Sequence, residues 1–432
     1  MKIKIESSKL VKPSYESPTH PATDVLIPLS LFDAVTFDTH VGGLYVYRPP
    51  TPPNRVIEQG LRKALVEYRE WAGRFVYDAD DRRCIILNDE GLPFVEASSE
   101  YPLGSILDEP SPHHLDLHPS LDAPDFLAQV QLTRFACGTL VVAFTSNHMV
   151  ADGLATSGFI VAWGRATRGL PMDPLPLHDR SIFVPRDPPR FQFQHRGVEY
   201  VDRRATTKHS DPEDTIVVHK ARFPHDFVAK LKSEASVNSP YTKPFTTFEC
   251  VMAHLWRKIT SARGLSGKET TKVKIAVNGR SRVSNPSVPM RYFGNVVLWA
   301  VPQSRVEDLL AKPVDHAAAL IHDAVARVDD DYFRSFIDFS SSKEKMEGLV
   351  PSADEEEMVL SPDLEVDCWL KFPYYGLDFG AGSPYLFVPS HLPVEGLLII
   401  VPSLAGVGDI DVYVPLFEKN VDSFKSGLFS LD

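Results

Sequence analysis

The residues best placed to do chemistry are His148 and Asp152, in the stretch TLVVAFTSNHMVADG from Thr139 to Gly153. An imidazole that titrates near neutrality can take a proton from an attacking nucleophile, provided something rigid holds it at the mouth of a cavity. The H-x-x-x-D spacing alone carries little, because His20/Asp24 and His118/Asp122 share it among prolines and polar residues. Only His148/Asp152 follows a β-like apolar run, Leu140 to Phe144, and precedes Gly153 and an apolar-periodic stretch. A strand ending in a turn would fix the histidine, and Asp152 stands where the N-cap of the next helix is expected. The competing reading is a satisfied structural histidine beside a capping aspartate.

The elements around this pair follow from periodicity. Gly43 to Tyr47 reads as a strand, Val56 to Arg74 as a helix, and Cys84 to Leu87 and Phe94 to Ala97 as short strands. Leu154 to Thr167 reads as the helix after the His148 strand. Pro171 to Pro212, rich in proline and charge, reads as a crossover between halves. Beyond it, Asp214 to Phe223 is a strand, and His225 to Ala235 and Thr247 to Arg263 are helices. Lys274 to Val277 and Val296 to Ala300 are buried strands, Val306 to Asp329 is helical, and Leu386 to Pro389, Leu397 to Val401 and Asp409 to Pro415 are strands. Val421 to Phe424 belongs to a last helix. A chain of 432 residues exceeds one ordinary core, so this alternation predicts an α/β protein of two domains. The expected partition is 1–170, a crossover at 171–212, and 213–432.

Composition narrows the partners. A formal charge of −12 argues against nucleic acid or an anionic membrane as the main partner. No apolar run is long enough to span a bilayer, and the opening MKIKIESSKLVKP reads as a strand rather than a targeting segment, so a cytoplasmic protein is expected. Cys84, Cys137, Cys250 and Cys368 have neither metal-ligand nor disulfide-framework spacing and are expected to be reduced, buried thiols. His113, His114 and His118 lack a second ligand group and are expected in an exposed loop, so no metal is implied. Gly267-Lys268 lacks the first glycine of a P-loop, where Ala262 stands, and no serine sits in a G-x-S-x-G elbow.

Three separated segments change the weight of the evidence: NHMVADG (Asn147 to Gly153), VNGRSRVSNPSVPMRYFGN (Val277 to Asn295) and LDFGAGSP (Leu377 to Pro384). With LSLFD (Leu29 to Asp33), LRKALVEYREWAGRF (Leu61 to Phe75), FECVMAHLWR (Phe248 to Arg257) and VEGLLIIVPS (Val394 to Ser403), they occur in the order of the plant BAHD acyltransferases, which the chain resembles over its whole length. Within that family the N-terminal MKIKIESSKLVKPSYESP, SFIDFS (Ser335 to Ser340) and DVYVPLFEKNVDSFKS (Asp411 to Ser426) look most like grass tryptamine and agmatine hydroxycinnamoyl or benzoyl transferases.

The resemblance implies two chloramphenicol-acetyltransferase-like domains joined by a long crossover, with an active-site tunnel between them and segments near 370–395 packing with the N-terminal domain. It implies His148 and Asp152 as the catalytic pair: His148 is the general base, and Asp152 holds its loop by pairing with Arg280. Gly153, Asp378 and Gly380 would support the site structurally. Asn278 stands where the family commonly has Asp, and Ala381 where it has a tryptophan. His40 and Val41 match acceptor-side positions. Lys371 falls where shikimate-using relatives place an arginine, keeping charge but losing the bidentate fork. Glu395 is a candidate cation partner, the alternative being a solvated strand-end carboxylate. Thr246, Thr247, Arg257 and Ala276 match segments near CoA, although Arg257 fits a surface charge equally well.

The implied activity is transfer of a hydroxycinnamoyl or benzoyl group from CoA to an amine such as tryptamine, another arylalkylamine or agmatine. The acyl-CoA would be a co-substrate, with no resident cofactor, and the protein a monomer. The rivals are an O-acyltransferase using shikimate, quinate or another alcohol, and a catalytically silent member that binds CoA thioesters.

Overall fold

The computed structural model describes residues 2–16, 21–104, 106–119, 125–203, 214–237, 241–285, 287–354, 358–390, 392–403 and 406–431. His20 and Asp122 of the two spare H-x-x-x-D spacings, and residues 204–212 of the expected crossover, lie outside them. The chain forms two compact units. The first comprises Met1–Pro185, Ser284–Val296 and Phe372–His391, and the second Arg186–Val283, Val297–Lys371 and Leu392–Asp432.

In chain order the strands are β1 (Lys4–Val11), β2 (Val25–Pro28), β3 (His40–Tyr47), β4 (Arg74–Tyr77), β5 (Arg83–Leu87), β6 (Leu92–Ser99), β7 (Ala128–Phe135), β8 (Leu140–Asn147), β9 (Tyr200–Asp202), β10 (Ile216–Phe223), β11 (Thr270–Asn278), β12 (Val297–Ala300), β13 (Gln303–Arg305), β14 (Leu349–Pro351), β15 (Leu364–Cys368), β16 (Leu386–Pro389), β17 (Leu397–Pro402) and β18 (Ile410–Phe417). The helices are α1 (Leu31–Ala34), α2 (Asn54–Glu67), α3 (Gly153–Thr167), α4 (His225–Ser236), α5 (Thr247–Ala262), α6 (Val306–Ala311), α7 (Val314–Arg327), α8 (Asp330–Ser341), α9 (Lys343–Met346) and α10 (Glu418–Gly427).

The first unit is built on a sheet of order β1-β6-β7-β8-β3-β16, antiparallel except between β6 and β7. Strand β8 is buried along its whole length, its apolar run Leu140–Phe144 continuing into buried Thr145, Ser146 and Asn147. Phe144 of β8 meets Phe159 of α3 at 5.2 Å and Trp71 edge-on at 5.8 Å. Trp71 also meets Phe293 at 5.4 Å. Aromatic pairs of this kind add about 0.5–1.5 kcal/mol per pair to the burial itself. They fasten α3, and with it the turn before it, to the sheet. The late strand β16 closes the edge of this sheet by pairing with β3, Leu386 opposite Val46.

The second unit carries the order β10-β18-β17-β15-β11-β12, with β13 also on β11. Alternate residues such as Val273, Ile275, Leu364, Val366, Leu398 and Ile400 are buried. Helix α5 is apolar on its inner side, and its Trp256 Nε1 donates to Thr271 Oγ1 at 3.1 Å. Glu395, expected as a solvated carboxylate or a cation partner for the substrate, is fully buried. Arg263 Nε and Nη2 donate to its two oxygens at 2.9 and 2.8 Å, and Ser361 N donates at 3.2 Å. Burial pushes both groups toward neutrality, raising the Glu395 carboxyl and lowering the Arg263 guanidinium, while their pairing works against this. Gly396, at φ +91°, allows the approach: a Cβ there would lie 2.6 Å from Arg263 Nη2.

Several expected elements differ. The helix expected at Val56 to Arg74 stops at Glu67, and Arg69–Ala72 form a single 3₁₀ turn that drives Trp71 into the core before β4 begins. The helix expected from Val306 to Asp329 breaks at Lys312, which is extended (ψ 155°) because Pro313 excludes the helical conformation from the residue before it. His114 and His118 are buried rather than in an exposed loop; His114 Nε2 bonds to the Ile106 carbonyl at 2.9 Å and His118 Nδ1 to Thr145 Oγ1 at 3.0 Å. Burial lowers the His118 imidazole to about 4. All four cysteines are free; Cys84 and Cys250 are buried, but Cys137 is exposed and Cys368 only half-buried.

Glu395→Ala would leave the buried Arg263 cation without its counter-charge. The variant should lose about 3–5 kcal/mol of stability, measurable by denaturant unfolding, whereas an unchanged unfolding midpoint would show the pair to be dispensable.

Candidate active site

His148 begins the turn that joins β8 to α3, and most of the main-chain groups near it have a partner. The His148 N–H donates to the Thr39 carbonyl at 2.9 Å, and the Val150 N–H to that of Asn147 at 3.2 Å. The Asn147 side chain accepts from Met149 N at 2.9 Å and donates to Asp38 at 2.8 Å. Burial works against the Asp38 carboxylate, but Arg83 and Asn147 hold it below its ordinary value. His148 itself is partly buried.

Asp152 is buried and uses its two oxygens separately. Oδ1 accepts from Ala155 N at 3.0 Å, capping α3, and Oδ2 accepts from Val296 N at 3.1 Å. Its own N–H reaches the Gly294 carbonyl at 3.4 Å. The aspartate therefore fixes the end of the His148 turn to a second segment of the same unit. Gly153 admits the ring of Phe372, since a Cβ there would lie 2.4 Å from it.

On the neighbouring strand His40 pairs with Asn147 and Val41 with Ser146, so both lie beside the His148 turn. The His40 Nε2 meets the Phe126 carbonyl at 2.7 Å. Asp378 shapes its own loop, accepting from Gly380 N at 2.7 Å and Gly382 N at 3.0 Å and pairing with Arg168 at 3.0 Å. Ala381 is exposed in that loop.

The remaining expected residues belong to the second unit. Thr246 caps α5 in a reciprocal box with Glu249, and Thr247 is its first residue. Arg257 is buried, its Nε and Nη2 donating to the carbonyls of Leu309 and Leu310 at the end of α6 (3.1 and 3.3 Å); it is not a surface charge. Ala276 lies on β11 opposite Trp299. Arg280 is buried, with its N–H and Nη1 directed to Asn278 Oδ1 at 3.0 and 3.4 Å. Lys371 is exposed.

Three residues that hold the His148 turn were not singled out by sequence: Asp33, Arg180 and Asn295. Two lie in the quoted stretches LSLFD and YFGN, where they counted only toward the likeness, and Arg180 lies in the proline-rich stretch. In the second unit, Asp367 on β15 is a partly buried carboxyl that was likewise not singled out by sequence. Burial, reinforced by Glu365 and only partly opposed by Lys274, pushes its carboxyl up to about 7. Glu365, two residues away on the same strand face, is paired with Lys274 at 3.6 Å.

A family model described as the Transferase family matches residues 1–429. The chain belongs to that family, the BAHD acyltransferases. It is 51% identical over 447 residues to agmatine hydroxycinnamoyltransferase 1 of Oryza sativa subsp. japonica, covering 100% of this chain and 99% of the relative. It is 49% identical to agmatine coumaroyltransferase-1 of Hordeum vulgare, over 100% of both chains. The crystal structure of vinorine synthase matches with a TM-score of 0.76 at 21% identity, covering 100% of this chain and 98% of that one, so the α/β fold is shared at low sequence likeness.

Because the Asp367 pKa lies above its unfolded value near ~3.9, ionising it costs native stability. The loss sets in as pH rises from about 4, runs through about 7 and is complete above it. Asp367→Asn should therefore gain about 1–2 kcal/mol over the parent at pH 8 and nothing at pH 4; equal thermal midpoints at both pH values would remove this assignment.

Proposed function

We propose that this acyltransferase moves a hydroxycinnamoyl or benzoyl group from CoA to the primary amine of a small acceptor, with agmatine the leading candidate and tryptamine and related arylalkylamines next. The observation that carries the reading is a partly buried imidazole on a turn whose main chain is tied down on both sides, in a chain about half identical to two agmatine acyltransferases over full length.

The chemistry follows from what an amide requires. The attacking nitrogen needs its lone pair, so the amine must arrive, or become, neutral in a partly desolvated place. As nitrogen bonds to the thioester carbonyl carbon, His148 removes a proton from it. The tetrahedral intermediate then collapses, the carbon–sulfur bond breaks, and the imidazolium returns the proton to the CoA thiolate. Acyl-CoA and amine give amide and CoA thiol, with the histidine restored and no acyl-enzyme formed. A net charge of −12 favours encounter with an acceptor that keeps a second positive charge, as a guanidinium does.

The direct test is CoA release from coumaroyl-CoA and benzoyl-CoA with agmatine, putrescine, tyramine, tryptamine and shikimate. The highest kcat/KM is expected with agmatine. Turnover with shikimate alone would move the enzyme to ester formation and make Lys371 the leading acceptor contact, while thioester binding without turnover would identify a silent member.

His148→Ala should lower kcat by about 10²–10⁴-fold or more, with coumaroyl-CoA affinity unchanged by calorimetry. Retained turnover would remove His148 as the base.

A further inference from the structure

The three consecutive carbonyls of the His148 turn are all claimed by two side chains. Asn295 Nδ2 donates to the His148 carbonyl at 3.0 Å and the Met149 carbonyl at 3.3 Å. Arg180 Nη2 donates to the Val150 carbonyl at 2.8 Å. Both side chains converge on one carboxylate, Asp33. Its Oδ1 accepts from the Asn295 N–H and from Asn295 Nδ2, each at 2.9 Å. Its Oδ2 accepts from Ser30 N at 2.8 Å and from Arg180 Nη1. Asp33 and Asn295 are completely buried and Arg180 nearly so. Only acceptors surround the Asn295 nitrogen, which fixes the orientation of its amide.

We propose that Asn295 and Arg180, anchored together on Asp33, are positioning residues for His148. They grip the main chain of the turn, so that the imidazole is presented in one place without either residue meeting the reacting atoms. The inference rests on His148 being the base. A clamp on backbone carbonyls constrains where the ring stands rather than how strongly substrates bind, so its loss should appear in kcat and spare KM.

Asn295→Ala is the informative substitution. It removes the side-chain donor but keeps the main-chain N–H, so Asp33 retains that contact, Ser30 and Arg180, and the unit is expected to fold. The variant should lose about 10–100-fold in kcat, with KM for coumaroyl-CoA and for the amine unchanged. Arg180→Lys, which keeps the charge on Asp33 but loses the planar fork, should lose less.

In a His148→Ala background, Asn295→Ala should add nothing, because a residue acting through His148 has nothing left to position. Wild-type kcat in Asn295→Ala, a loss confined to KM, or an equal further loss in the His148→Ala background would overturn the proposal. So would a failure of Asn295→Ala to fold when His148→Ala folds, since the clamp would then be a folding element only. Full activity of His148→Ala would instead overturn the assignment of the base.

Discussion

The arrangement depends on a carboxylate that is completely out of water. A carboxylate at zero exposure is tolerable only if its charge and its lone pairs are both met, because removing such an ion from water costs several kcal/mol even after relaxation. Four donors on its two oxygens meet that demand. They come from Ser30, Arg180 and Asn295, so satisfying one side chain draws together parts of the chain up to 262 positions apart. Arg180 is in the same position from the other side: burial opposes its charge, and chiefly Asp33 holds its guanidinium above the ordinary value. Neither ion is stable there without the other. The donors left over after Asp33 is satisfied are the ones that hold the His148 turn.

This explains which parts of the site could be read from sequence. The strand before His148, the cap at Asp152 and helix α3 rest on neighbours in the chain, so an apolar run, an aspartate and a periodic stretch announced them. The clamp has no such local signature. Arg180 lies 147 positions from Asp33, in a stretch whose prolines read as a connection, and Asn295 lies 147 positions from His148. Nothing near Asn295 in sequence says that its amide will meet two carbonyls from a distant turn. Family likeness marked two of the three segments without supplying the reason for them.

The errors of element and exposure have the same origin. Arg69 to Ala72 continues a helical pattern, yet Trp71 gains more by entering the aromatic cluster than the helix gains by another turn, and the chain bends to deliver it. Pro313 was a local signal and its rule was available; the periodicity on either side of it masked the break. Glu395, His114 and His118 are polar residues whose partners are distant or on main-chain groups, so composition placed them in solvent and tertiary structure placed them inside. Polarity predicts exposure only where no partner is waiting.

The separation between positioning and recognition has a consequence for what such a scaffold can do. Every contact in the clamp falls on main-chain carbonyls of the turn or on the buried carboxylate, and none depends on the acceptor. The clamp therefore holds the His148 turn through contacts that belong to the protein alone. The Asn295 Nδ2 and Arg180 Nη donors meet the turn and Asp33 rather than a substrate, so positioning and recognition fall to different groups. Exchange of residues outside the clamp leaves the histidine turn, and the network that holds it, untouched.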